Sequence, residues 1–191
     1  MSITPAGNAK EIFIKSGLFA LLITVSFPSA FTLAQAQGPQ SIYTSVDARK
    51  CRRVKSSDAE AGDYLGRCEG TAGYTLLLAE GDLRQNVTIV TPQKKQHSLD
   101  LWTIVSPAFS NVGPNVEWRV VRHSPIALIL RYNASEDPEK PDKKTSYLVV
   151  TKITTNEICV TDKVAPGTLA NEEARRLADE ATTKPCLKPK D

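Results

Sequence analysis

The sequence has little of what catalysis and metal binding commonly need. Its 191 residues contain only two histidines, His97 and His123, and each is expected in a solvated loop. G-x-S-x-G, H-E-x-x-H, the P-loop and the dinucleotide-binding glycine pattern are all missing. These absences favour a protein that is not an enzyme and that binds no cofactor.

Strong charge and a long apolar run are also absent. The formal net charge is +3, which is too close to balance for a typical nucleic-acid-binding domain. No apolar stretch reaches the roughly 20 residues that a transmembrane helix needs. We therefore expect no nucleic-acid partner, and no membrane anchor once the N-terminal segment has been removed.

The N-terminal segment predicts export. Lys10 and Lys15 form a positive region, Gly17 to Phe27 is apolar, and Ala34-Gln35-Ala36 matches the small-x-small pattern before a cleavage site. We interpret residues 1–36 as a signal peptide whose removal lowers the formal net charge to about +2. The prediction is a periplasmic or secreted protein.

The cysteines indicate disulfides in a single domain that spans residues 37–191. An even number in an exported chain favours two bridges, and four cysteines allow three connectivities. We favour Cys51–Cys68 and Cys159–Cys186, since each closes a local loop and contributes roughly 3–4 kcal/mol in the chain-entropy model. A zinc site is the alternative. It is disfavoured because C-x-x-C is missing and both histidines are distant in sequence, so we expect no metal.

Alternating and continuous apolar runs predict strands separated by turn residues. They cover residues 43–46, 74–79, 84–91, 99–105, 116–122, 126–130, 147–154 and 157–160. The clearest pair is 74–79 with 84–91, joined by a short turn as in a hairpin. The prediction is an α+β fold that is mainly antiparallel β. It has about seven or eight strands in a meander-like sheet or a partly closed barrel, with one C-terminal helix.

That helix is predicted over residues 171–183. Asn171 is a good N-cap, and the acidic side chains that follow it suit the positive end of the helix dipole. An apolar stripe at helical spacing is formed by Ala174, Leu177, Ala178 and Ala181. Pro185 ends the segment, and Cys186 would attach its end to the strand that holds Cys159.

Two sets of residues are candidate sites. The first is a basic loop at the first disulfide, which indicates binding of phosphate or carboxylate groups; it comprises Arg49, Lys50, Arg52, Arg53, Lys55 and Arg67. A solvated basic strand edge is the alternative. The second is a polar cluster of Asp82, Arg84, Glu117, Arg119 and Arg131. A glycoside hydrolase would need Asp82 and Glu117 roughly 5–9.5 Å apart.

Several segments resemble small exported bacterial proteins to which no activity is assigned. They are Tyr43 to Asp47, Cys68 to Tyr74, Gly81 to Arg84, Glu117 to Arg119 and Ala127 to Ile129. The resemblance implies a periplasmic location and no activity. A looser similarity to periplasmic lysozyme inhibitors, which are small disulfide-bonded β domains, is one of fold type and compartment.

The sequence thus predicts a non-enzymatic binding module of the cell envelope whose partner is an envelope protein or an anionic glycan. Three alternatives remain open: a carboxylate-based hydrolase of envelope glycan, a protein similar to lysozyme inhibitors, and a purely structural envelope protein.

Overall fold

The computed structural model describes residues 38–54 and 63–189, and the predicted signal peptide lies outside them. The strands of this part are β1 Gln40–Ser45, β2 Arg52–Arg53, β3 Tyr64–Glu69, β4 Thr75–Gly81, β5 Arg84–Val90, β6 Gln96–Ser98, β7 Ser110–Val121, β8 Ser124–Ala134, β9 Thr145–Ile153 and β10 Ile158–Val164. The helices are α1 Leu101–Ile104, α2 Ala170–Asp179 and a 3₁₀ turn, Ala181–Thr183. The predicted fold class is confirmed, with ten strands in the described residues.

The strands form one sheet that has two halves. Its order is β10-β9-β8-β7-β5-β4-β3-β2, with β1 beside β7 and β6 beside β5. The pairings are antiparallel except for one parallel contact, between Arg84 of β5 and Ser110 of β7. This contact joins a half made of β1 and β7–β10 to a half made of β2–β6. The predicted hairpin is confirmed as β4 and β5, with Asp82 and Leu83 between them.

The main core is shared by the two halves. Leu76 and Ile89 of one half and Trp118 and Leu128 of the other are all fully buried and belong to the same apolar cluster. The Tyr74 ring packs against Trp118, with 5.8 Å between the ring centroids. Because side chains alternate along β7, the residues on either side of Trp118 point away from this core.

The opposite face of β8 and β9 is covered by α2. Three small residues of the helical segment, Ala174, Ala178 and Ala181, are fully buried in a second apolar cluster with sheet residues such as Ile129 and Val150. Small side chains let the helix approach the sheet closely. The predicted range 171–183 corresponds to α2 and the 3₁₀ turn that follows it.

The predicted N-cap of this helix is wrong. Leu169 occupies the N-cap position, and Asn171 lies within the first turn. The helix begins earlier than the capping pattern suggests because Glu173 already donates its backbone N–H to the carbonyl of Leu169. Glu172 and Glu173 are in the first turn as expected.

The predicted strand 99–105 is also wrong. Asp100 has a positive φ of 48°, which breaks an extended chain, and the short helix α1 follows it. The side chain of Asn86 accepts the Leu101 N–H at 3.1 Å, and the Asp100 carbonyl accepts the N–H groups of Thr103 and Ile104. The Asn86 side chain and the Asp100 carbonyl thus accept the N–H groups at the start of the helix, which need no neighbouring strand.

Both predicted disulfides are confirmed. Cys51 is bonded to Cys68, and Cys159 is bonded to Cys186. The second bridge holds the chain after α2 against β10. None of the helices in the described ranges is both long enough and apolar enough to cross a membrane.

Candidate functional site

Two of the predicted basic residues already have partners within the structure. Arg49 forms a bidentate pair with Asp47, with 2.6 Å between Nη2 and Oδ2 and 3.0 Å between Nε and Oδ1. The hydrogen bond from Arg49 lowers the pKa of Asp47 to about 2. The guanidinium of Arg53 lies 5.7 Å from the centroid of the Tyr64 ring and donates to the Asp63 carbonyl. Both cations are thus engaged with nearby groups of the protein.

Three other basic residues, Lys50, Arg52 and Arg67, line one groove beside the Cys51–Cys68 disulfide. We call it the basic groove. Its volume is about 580 Å³, and its remaining lining residues are Thr44, Ser45, Cys68, Glu69, Gly70 and Thr75. Lys55, the sixth predicted basic residue, lies outside the described residues. The groove therefore combines cations with three hydroxyl side chains.

The register of the sheet places two cations of the groove at directly opposite positions on neighbouring strands. Arg52 of β2 lies directly opposite Arg67 of β3. Residues in such positions share a face, and their Cβ atoms are about 4.5–5.5 Å apart, so like charges there are destabilising. Arg67 donates from Nη1 to the Thr75 hydroxyl at 3.1 Å, which does not offset its charge. Within the described residues, Lys50 and Arg52 form no ion pair, and neither does Glu69.

The structure brings together three of the five residues of the predicted polar cluster. Glu117 and Arg119 of β7 and Arg131 of β8 are on the side of the sheet that α2 covers. Arg131 is exposed, and its Nη1 donates to the Ser146 hydroxyl at 3.0 Å. Glu117 and Arg119 are buried.

Asp82 and Arg84 lie elsewhere, at the turn between β4 and β5. The guanidinium of Arg84 pairs with Asp82, donates to the Pro107 carbonyl at 2.8 Å and lies 5.1 Å from the Phe109 ring centroid. Phe109, Trp102 and Leu83 are large apolar side chains exposed on this surface. A groove of about 580 Å³ between Arg84, Trp102 and Pro107 adjoins it. We call Leu83, Trp102 and Phe109 the apolar patch.

The separation of Asp82 from Glu117 does not suit a pair of glycosidase carboxylates. The turn after Asp82 reaches β7 at Ser110. On β8, the cross-strand partners of Ser110 and Glu117 are Ala134 and Ile129, whose separation of five residues corresponds to roughly 17 Å. Glycoside hydrolysis needs about 5–9.5 Å. The geometry therefore does not favour the hydrolase alternative.

Glu117 is the centre of an ion-pair network beneath α2. Its carboxylate accepts hydrogen bonds from Arg175 Nε at 2.7 Å, from Arg175 Nη2 at 3.1 Å and from the Ser41 hydroxyl at 2.5 Å. Arg119 forms a bidentate pair with Asp179, at 2.6 and 2.9 Å. Arg175 also donates to the Tyr43 hydroxyl at 3.0 Å. These contacts connect α2, β7 and β1.

The pKa shifts in this network follow from its geometry. Burial by itself raises the pKa of Glu117, but the hydrogen bonds from Arg175 and Ser41 outweigh it, and the net shift is downward. The hydrogen bond to Glu117 raises the pKa of Arg175 above its already high value. Both groups are therefore ionised at neutral pH, and every oxygen of Glu117 is occupied. The arrangement stabilises the position of α2 over the sheet.

Sequence reasoning missed the partners of the network, namely Ser41, Tyr43, Arg175 and Asp179. One signal was present. Arg175 and Asp179 each follow directly after a residue of the predicted alanine stripe, so they border the face of α2 that is buried. A charged pair at that border indicates contact with polar residues of the sheet.

Among the described residues, one group of side chains of the kinds that bind metal ions lies near the second disulfide. It consists of Glu157, Cys159 and Cys186. The two sulfur atoms are bonded to each other, so they are not thiolates that could hold a metal ion. The Glu157 carboxylate instead pairs with Lys152 at 2.6 Å.

The comparisons with known proteins give no assignment. The chain matches no protein-family model, no curated protein and no solved structure.

Proposed function

We propose that the protein is an exported, non-enzymatic binding module whose basic groove takes a phosphate or carboxylate group of an anionic envelope glycan. The observation that carries this proposal is the Arg52–Arg67 pair, in which two like charges face each other in register. Lys50 adds a third cation to the same groove. An anion bound between the two guanidinium groups would attract both of them and so offset their mutual repulsion.

The chemistry of the groove suits an oxyanion. A guanidinium donates two parallel hydrogen bonds to a phosphate or carboxylate group, and a Lys ammonium group contributes a compact charge. The hydroxyl groups of Thr44, Ser45 and Thr75 line the same space. Because the groove is open to solvent, we expect the affinity to fall as ionic strength rises.

The proposed location is the periplasm or the exterior of the cell. Two disulfides fit a compartment that is oxidising and not cytoplasmic. The N-terminal pattern supports export through a signal peptide. Anionic glycans are abundant on that side of a bacterial membrane, whereas the near-neutral net charge gives no support to a nucleic-acid ligand.

Calorimetry with one oligosaccharide in two forms tests the proposal. The probe is delipidated lipopolysaccharide core oligosaccharide, compared with the same material after phosphatase treatment. The protein is recovered with its disulfides intact from the periplasm of a bacterial host, and mass spectrometry of its N-terminus checks cleavage after Ala36. We expect the phosphorylated form to bind at least tenfold more tightly than the treated form.

Matched variants locate the site. Replacing both Arg52 and Arg67 with glutamine should weaken binding at least tenfold. The double variant Arg49→Gln/Arg53→Gln removes the same number of charges but should change the affinity less than twofold, because those cations are engaged elsewhere. Equal losses in both double variants would indicate a non-specific charge effect. The proposal would be contradicted if Trp102→Ala weakened binding and the arginine substitutions did not. It would also be contradicted if neither oligosaccharide bound.

A further inference from the structure

The edges of the sheet are protected to different degrees. β2 has only two residues, both arginines, and short charged edges discourage pairing with other chains. β10 is covered by the chain after α2, since Leu187 donates its N–H to the Val160 carbonyl and the Cys159–Cys186 bridge holds this segment in place. β6 has only three residues.

β1 lacks these protections. Its sequence, Gln-Ser-Ile-Tyr-Thr-Ser, contains no charge, no proline and no glycine. Among the described strands it pairs only with β7, so within this part of the chain its other edge has no strand partner. Ile42 is 39% exposed and Tyr43 is 58% exposed. An uncharged edge strand with exposed apolar side chains is a template for pairing with another strand.

We propose that β1 pairs antiparallel with β1 of a second copy of this chain about a two-fold axis. Most soluble oligomers are symmetric, and a two-fold axis makes the same patch face itself. Because opposite residues in a sheet must share a face, the axis has to pass beside a residue that then lies opposite its own copy. The axis at Ile42 pairs the two isoleucines and places Ser41 opposite Tyr43 of the second copy.

The occupant is a second copy because the strand is complementary to itself. In the register centred on Ile42, residues 40–44 of both copies pair, and none of them is charged, so no like charges oppose each other. The paired range contains the four exposed residues 40–43 and the half-buried Thr44, and it leaves out Ser45. The result is one continuous sheet through both copies. A single strand pair is a small interface, so we expect the dimer to dissociate on dilution.

Sedimentation over a wide concentration range, with the disulfide-bonded protein, measures the dimer dissociation constant. Ile42→Lys places two ammonium groups opposite each other at the axis and should raise this constant at least tenfold. Leu83→Lys is the matched control, because it adds the same charge at an exposed residue of the apolar patch. It should leave the constant within twofold.

Cross-linking checks the register without depending on Ile42→Lys. A cysteine in place of Ile42 should be linked to its copy by a short bifunctional thiol reagent. A cysteine in place of Glu172, exposed on α2, should not be linked under the same conditions. A monomer at every concentration would overturn the proposal. So would a dimer that resists Ile42→Lys, responds to Leu83→Lys or gives no link through residue 42.

Discussion

Replacing Glu117 with glutamine tests the ion-pair network that positions α2. Glu117 is only 9% exposed, and glutamine cannot accept hydrogen bonds from all of its present donors. Breaking a buried ion pair costs about 3–5 kcal/mol, and losing a hydrogen bond to a charged group costs about 1.5–3 kcal/mol. The Arg175 side chain is 39% exposed, so water solvates it in part. We therefore expect a loss of about 2–3 kcal/mol in the free energy of unfolding, which lowers Tm by about 4–12 °C.

The same substitution should alter the acid dependence of stability. The folded-state pKa of Glu117 lies below its ordinary value of 4.5, so this carboxyl stabilises the fold above about pH 4.5. That contribution is lost as the pH falls through the folded-state pKa. The difference between the wild type and Glu117→Gln should then be full at pH 7 and shrink below pH 4.5. Other carboxyls with lowered pKa values, such as Glu136, destabilise both proteins in acid and cancel in the difference.

Urea denaturation with intact disulfides, followed by circular dichroism at about pH 7 and pH 3, measures both effects. Glu173→Gln is the matched control. Glu173 also pairs with an arginine, Arg176, but on the exposed face of α2, where such pairs contribute less than about 1 kcal/mol. The reasoning is refuted by a loss below about 1 kcal/mol at pH 7. An equal difference between the two proteins at both pH values also refutes it.

Two further substitutions should stabilise the protein. Arg122 and His123 form the two-residue turn between β7 and β8 with φ values of 48° and 69°, so replacing them with Asn-Gly should add about 1 kcal/mol to the free energy of unfolding; an unchanged or lower Tm would contradict this. The Thr151 hydroxyl is buried and has no hydrogen-bond partner among the described residues, so Thr151→Val should add about 1–2 kcal/mol in the same urea assay. Destabilisation by Thr151→Val would show that the hydroxyl has a partner in solution.

Local patterns predict the hairpin of β4 and β5 because everything that defines it lies within the 16 residues from Thr75 to Val90. β4 contains a continuous apolar run, β5 alternates in hydrophobicity, and Asp82-Leu83 is a turn of the length that joins paired strands. The segment around Leu101 was different. Its apolar residues suit a strand or a helix equally, and Asn86, which precedes it by 15 residues, caps the helix. The hydrogen bond from Leu101 to Asn86, which favours the helix here, is not visible in the local sequence pattern.

The network around Glu117 shows the same limitation at greater range. Arg175 is 58 residues away in sequence, and Ser41 is 76 residues away. Composition shows that these residues are polar, but it does not show that α2 brings an arginine over a buried glutamate. That outcome depends on which face of the sheet the helix covers and on the register of β1 with β7. Neither is a property of a local segment.

The basic loop is visible in the sequence as a run of cations, but the sequence does not show which of these cations the fold leaves without an ion pair. Asp47 neutralises Arg49, and the Tyr64 ring covers Arg53, whereas the strand register places Arg52 and Arg67 together. The groove also includes the end of β1, so the two proposals meet at that strand. A dimer through β1 would carry two basic grooves, one from each copy. Two linked sites bind a repeating ligand more tightly than either site alone. If both proposals hold, we expect a glycan with several phosphate or carboxylate groups to bind more tightly than a single free anion.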